Sequence, residues 1–554
     1  MNNCGILKRV LSVVLVIAVL LCMVACTENS HRPTKKTTNP TTQTTQPTDP
    51  TRPTVYPPDQ DPESYKLEYT LTQSDVDELY ALLDEFEELA MADADIDSVE
   101  NVVAAVEESY NFLNAQCNIA TVLHYSHTKD ETLEKQYLDS FETVTDAYDA
   151  FMKLCRRIYQ SDCAVKEKLF EDWSDADIAS LLAYDDEVAE LQKRNAEIGV
   201  EYRTTYDDDT KIGLYIELIQ NNNAIARIYG YDNYYAYAYA MVYDRDYAPE
   251  DVRTLRTYAR DYLAGMQTTL YDNFYESVEK LNMFMLYRIQ DFLIEDYDTL
   301  NEDYVGAYIE AVPENLAAAM QTMLDRDSLF TDAKDAKVGA FTIDLGNRPY
   351  CFFGPGYATC NTVLHESGHY YAALYTPMDD VPLDLAEVHS QANEWLFVQF
   401  LQDKMSKAEH RTVVDSMLME SVSILLVCLM VDEFEQRVYT TDVTGFTAED
   451  FDAVMDQVAD QYGDFELVDM NSYWRQVVAE QPVYYISYAV SSIAAMSLFT
   501  VAQNDWDEAM DIYQSLCEEF DQDIGFLANL KAVGLHTPFD KEFYLALQML
   551  VDRR

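Results

Sequence analysis

The chain has 554 residues, 48% of them hydrophobic, and carries 38 Lys and Arg against 98 Asp and Glu, a formal charge of −60. That hydrophobic fraction excludes wholesale disorder, and so acidic a surface repels phosphate backbones, which argues against nucleic acid as a partner. With 15 glycines and 42 tyrosines the chain lacks the turn density of an all-β protein and reads as mainly helical.

The first element is a signal-like segment over residues 1–25. Lys8 and Arg9 form a short basic region, and Val10 to Val24 is almost unbroken apolar, the length of a signal core rather than of a transmembrane helix. Met23-Val24-Ala25-Cys26 resembles a bacterial lipobox, so Cys26 is the expected lipidation site; plain cleavage after Ala25 is the alternative. Residues 26–63 then form a Thr/Pro-rich tether, extended and semi-rigid. The expected location is the extracytoplasmic face of a bacterial membrane, held by lipid alone. Seven cysteines follow Cys26, an odd number without paired spacing, which argues against a disulfide framework. Cys155 and Cys163 are close enough in sequence to pair, or else are buried thiols.

From residue 64 helical signals dominate, giving an expected N-terminal helical region over 64–337 and a second region over 338–554. Ser74 with Asp77 reads as a helix cap, followed by Val76, Leu79, Tyr80, Leu83 and Phe86 at helical spacing. Thr447 with Asp450 reads as another cap. Val338–Leu345 and Pro349–Phe353 are β-prone runs around Gly346-Asn347, which predicts a hairpin with an exposed edge able to hold an extended peptide.

His365-Glu366-Ser367-Gly368-His369 is an HExxH motif. Histidines at i and i+4 share one helical face and can bind one zinc ion, while Glu366 is placed to act as general base on water. Glu387 lies 22 residues beyond His365, room for a helix, a turn and a return, and would complete a two-His, one-Glu site with an open fourth position. Gln391 and Glu394, at i+4 and i+7 from Glu387, are candidates for orienting the ligands.

These pieces resemble the zinc oligopeptidases of the thimet oligopeptidase and oligoendopeptidase F type: the HExxH, then Glu387-Val388-His389-Ser390-Gln391, then Glu394. The stretches Ile225–Tyr234, Asp246–Val252 and Pro482–Ala489 look like further family segments. The resemblance implies a mainly α fold, two helical halves flanking a deep channel, one Zn2+ on its floor and short peptides as substrates. It implies Tyr488 as the donor to the oxyanion, and Tyr485 as a substrate contact; His389 also fits the pattern and is a candidate substrate contact. One departure stands out: relatives carry a histidine shortly before the tyrosine stretch, and Val477–Gln481 has none. A catalytically weak peptide-binding lipoprotein of the same fold is therefore the alternative.

Overall fold

A computed structural model describes residues 67–553 apart from 290–301, 464–469, 522–523 and single positions at 93, 172, 174, 206, 477 and 480. The signal segment, Cys26 and the tether lie outside the described residues.

The chain is mainly helical. We number the principal helices α1 Gln73–Met91, α2 Ile96–Ser126, α3 Glu131–Gln160, α4 Asp186–Thr204, α5 Asp208–Ile228, α6 Pro249–Tyr258, α7 Gln267–Glu279 and α8 Glu314–Asp325. Strands β1 Ser328–Phe330, β2 Ala340–Asp344 and β3 Pro349–Phe353 follow. Then come α9 Cys360–Ala373, α10 Leu383–Phe400, α11 Lys407–Tyr439, α12 Ala448–Ala459, α13 Ile486–Ala502, α14 Trp506–Glu518 and α15 Lys541–Asp552. The caps explain several starts. The cap of α1 is Thr72, two residues before the expected Ser74, its N–H (2.7 Å) and hydroxyl (2.6 Å) both donating to Asp75. Both Thr72-x-x-Asp75 and Ser74-x-x-Asp77 fit the pattern, and Leu71 packing on the core decides between them. Thr447 caps α12 through Asp450 as expected, its N–H donating at 2.8 Å.

Among the described residues, the two larger buried clusters meet near residue 190. One cluster joins residues of α1, α2 and α3 up to Val188, and a larger one runs from Ile198 to Val551. Residues 198–323 thus pack with the C-terminal part, because α7 lies along α11. α11 is the one described helix long and apolar enough to cross a bilayer, yet its most apolar window is 78% buried, which makes it a core helix. The seven cysteines beyond Cys26 are all buried and free; the Cys163 thiol faces the Ile158 carbonyl instead of Cys155.

The expected hairpin is present, but it belongs to a three-stranded sheet of order β1-β3-β2, with β1 parallel and β2 antiparallel to β3. β1 escaped the sequence pattern because three residues carry no alternation. β3 is central and wholly buried, and β2 is an edge whose middle residues Phe341–Ile343 are buried, not exposed. Alternation along β2 sends Phe341 and Ile343 into a cluster with Ile119, Val122 and Tyr125 of α2. Thr342 points to the opposite face, towards α9.

α9 and α10 cross backbone to backbone. A Cβ on Gly368 would overlap the His389 carbonyl oxygen and the Ser390 Cα, so only glycine permits this approach. Asn393 of α10 fastens the crossing: its Nδ2 donates to the Leu364 carbonyl (2.8 Å) and to Ser367 Oγ (2.9 Å), while Tyr308 donates to its Oδ1 (2.9 Å). Gly368→Ala should therefore lose about 1–3 kcal/mol or more of stability by overpacking, read as a lowered thermal midpoint. A wild-type midpoint would mean that the two backbones are not in contact.

Candidate metal centre

The crossing brings one face of α9 against one face of α10. His365 and His369 are separated by one turn of α9, with ring centroids 5.0 Å apart. Glu387, near the start of α10, faces both: its Oε2 is 3.7 Å from His365 Nε2 and 3.9 Å from His369 Nε2. One ligand atom from each of the three residues lies within 4.8 Å of the others. Tetrahedral ligands at about 2.1 Å from a common ion are about 3.4 Å apart, so the three donors close on one centre with small shifts. Two imidazole nitrogens and one carboxylate oxygen form a donor set that fits zinc.

Two of the three candidate ligands, His365 and Glu387, are held from behind. His365 Nδ1 meets Glu394 Oε1 at 2.7 Å, which fixes the tautomer that turns the Nε2 lone pair to the centre. Glu387 is only 2% exposed; Ser390 Oγ donates to its Oε2 (3.2 Å) and Tyr484 donates to its Oε1 (3.0 Å). Tyr484 also reaches Tyr488, hydroxyl to hydroxyl at 3.3 Å. Glu366, buried beside His365, accepts from Thr342 Oγ1 at 2.7 Å, so β2 supplies the residue that orients it.

The electrostatics favour a cation. Burial alone would lower His365, but Glu394, then Glu366 and Glu387, outweigh it and carry its pKa up to about 9. His369 is held well below its ordinary value by burial and then by His365. Burial pushes Glu366 up to about 7 against the opposing pull of His365 and Thr342, a value suited to a general base near neutral pH. Burial raises Glu387 too, against His365. Three carboxyl groups thus crowd two imidazoles, an arrangement that a divalent ion would neutralise.

The remaining expected residues divide. Glu394 stands where the spacing put it. Gln391 is half-buried and forms no hydrogen bond with the cluster. His389, expected to contact substrate, is 1% exposed and its Nε2 is bonded to the Leu516 carbonyl of α14 (3.0 Å). Burial lowers its pKa to about 4, so it stays neutral and ties α10 to α14. Tyr485 lies just before α13, 7% exposed and edge-on to Tyr473 and Tyr484. The hydroxyl that reaches Glu387 belongs to Tyr484, one residue earlier, which the sequence reading did not single out. Its spacing of four from Tyr488 was the available signal. Thr342, Ser390 and Asn393 had no sequence signal, being polar residues in apolar surroundings.

No protein-family model and no curated protein sequence matches the chain. Solved structures do match its fold. One is PZ peptidase A with an inhibitor, at 15% identity and a TM-score of 0.69, covering 89% of this chain and 99% of that one. Another is a Bacillus anthracis protein described as an oligoendopeptidase F, at 16% identity and a TM-score of 0.66, covering 89% and 97%. A carboxypeptidase from Pyrococcus furiosus matches at 12% identity and a TM-score of 0.52, covering 88% and 99%. The chain therefore has the helical fold of these peptidases along nearly its whole described length.

The centre predicts a graded response of metal affinity. Glu394→Ala should weaken zinc binding by about 10–100-fold, because His365 loses its orienting partner. Tyr484→Phe, which removes one hydrogen bond from Glu387, should weaken it by about fivefold. Gln391→Ala should leave it unchanged. Competition titration with a chromophoric chelator measures all three, and equal affinities throughout would contradict the arrangement.

Proposed function

We propose that the protein is an extracytoplasmic zinc-dependent oligopeptidase of the oligoendopeptidase F type, anchored through Cys26. The observation that carries the reading is the convergence of His365, His369 and Glu387 beside the buried Glu366, within a fold otherwise found in peptidases.

A bound zinc ion would polarise the scissile carbonyl and acidify a water molecule. Glu366, oriented by Thr342, takes the proton of that water and delivers it to the leaving amine. Tyr488, its hydroxyl beside that of Tyr484, donates to the oxygen that gains charge. Extended substrate has a cradle in β2. The hydrogen bonds from Leu345 to Arg348 and from Gly354 to Gly339 set the parity of the β2–β3 ladder. Ala340 and Thr342 therefore turn their main-chain groups away from β3, along the outer side of the sheet. A peptide pairing there would lie over the face that holds Glu366. A narrow channel between helical halves would admit peptides and exclude folded proteins. Basic peptides would be drawn by the charge of −60.

The second reading, a catalytically weak peptide-binding lipoprotein, draws on the absence of histidine in Val477–Gln481, where Val478 is buried. The presence of Glu366 favours the enzyme, since a binder has no need of a base at the metal.

Activity should follow the residues named. Glu366→Gln should keep zinc and lose roughly 10²–10⁴-fold in turnover, since an amide takes no proton from water. Tyr488→Phe should lower kcat and kcat/KM together by about 10²–10³-fold with KM nearly unchanged. The assay is a mixed peptide library with and without chelator, read by mass spectrometry, alongside a folded protein that should resist. Chelator-independent cleavage would overturn the zinc-dependent mechanism, and zinc binding without any cleavage would select the binder. For the anchor, Cys26→Ser should move the protein from the membrane fraction to the medium; a variant that stays bound would refute lipidation at Cys26.

A further inference from the structure

Among the described residues, Asp244 (φ 44°) and Val483 (φ 65°) are the only non-glycine positions with positive φ. Aspartate tolerates this region, but a β-branched valine there is strained by about 1–3 kcal/mol. The two strained turns, 239 residues apart in sequence, belong to segments that hydrogen-bond each other. Tyr243 Oη donates to the Pro482 carbonyl at 2.8 Å. Arg245 Nη2 donates to the Val483 carbonyl (2.9 Å) and to Ser487 Oγ (3.0 Å). On the other side, the Val483 N–H donates to Oε1 of Glu435, a fully buried residue of α11, at 2.7 Å. Both main-chain groups of the strained residue are therefore taken up by buried side chains from two distant segments.

The position of the turn gives this a use. Tyr484 follows Val483 directly, and its hydroxyl is the group on Glu387 Oε1. Arg245 Nε also faces Asp384 Oδ1 at 3.8 Å, with both side chains almost wholly buried. Asp384 lies in the first turn of α10, three residues before Glu387. The guanidinium is itself gripped between the rings of Tyr239 (4.5 Å) and Tyr243 (4.3 Å). One planar group thus touches the residue before Tyr484 and the turn before Glu387. Val483 is fully buried in the larger core cluster, so the site keeps a packed valine side chain where glycine would adopt φ 65° freely. Strain of this kind persists only where the surroundings over-determine it, and here they do so with three buried hydrogen bonds.

We propose that Arg245 and Glu435 are positioning residues: they hold Val483 in its strained turn, and so fix Tyr484 on Glu387 and Tyr488 beside it. The kinetic consequence rests on the oligopeptidase reading; the structural consequence does not. Released, Val483 relaxes to negative φ. The phenol at the end of the Tyr484 side chain then moves further than a hydrogen bond tolerates.

The test is Arg245→Lys, which keeps the charge and loses the planar fork. In the full chain loaded with zinc, amide exchange over residues 482–488 should accelerate at least about tenfold while the rest of the protein keeps its protection. kcat should fall by roughly 10–100-fold with KM within about threefold, as expected for a misplaced group rather than a lost binding contact. Adding Val483→Gly to Arg245→Lys should recover about tenfold in kcat, because glycine holds the turn without help, while the thermal midpoint falls further from the vacated core. A purely structural arginine would lower the thermal midpoint, without a kcat-specific loss and without rescue. Wild-type exchange in 482–488 together with wild-type kcat would overturn the proposal. If Arg245→Lys does not fold, Tyr243→Phe removes one hydrogen bond to the same turn, and the same two readouts decide. A wild type that neither binds zinc nor cleaves peptides would remove the peptidase reading, and exchange over 482–488 would then decide the clamp alone.

Discussion

Two helices touch backbone to backbone at Gly368 and His389, and the rest of the site depends on that contact. With any side chain at Gly368 the axes of α9 and α10 would separate, and the three donors could no longer share an ion. Asn393 converts the contact into a fixed crossing by bonding Leu364 and Ser367, residues in the same turns as the motif. The ligands belong to two rigid helices, and the crossing, not a loop, sets the distance between them.

Around this crossing the fold uses buried polar groups for position more than for stability. Glu394 sets His365, Ser390 and Tyr484 set Glu387, and Thr342 sets Glu366. Further out, α11 contributes Asp432, which accepts from Tyr235 (3.0 Å), Tyr239 (2.7 Å) and Arg256 in the core. A buried ion pair so fully bonded adds little net stability, but it removes alternative packings of the tyrosine-rich segment that leads to Arg245. Part of the tyrosine content follows from this pairing: phenols such as Tyr235, Tyr239 and Tyr462 fill the core while their hydroxyls satisfy buried carboxylates.

The local part of the site was legible in sequence and the distant part was not. HExxH spacing fixes a helical face, and Glu394, at i+7 from Glu387, returns to the same face after nearly two turns. The same arithmetic places His389 about 200° around α10 from Glu387, where its Nε2 meets the Leu516 carbonyl. The start of α13 has no cap signal, since the strained Val483 and not a serine or threonine precedes Tyr484, and no sequence pattern linked the Tyr484 hydroxyl to Glu387. Arg245 and Glu435 reach that turn from 238 and 48 residues away, and no local pattern records such a contact. The sheet was half legible, since an aromatic β3 announces itself while a three-residue β1 does not.

The account rests on one metal held by two imidazoles and one carboxylate, and X-ray absorption at the zinc edge of the loaded protein tests that most directly. The predicted spectrum has two nitrogen scatterers with imidazole multiple scattering and one or two oxygens, all at about 2.0–2.2 Å. A sulfur shell at about 2.3 Å, from any of the seven buried cysteines, or an all-oxygen shell without imidazole would contradict it.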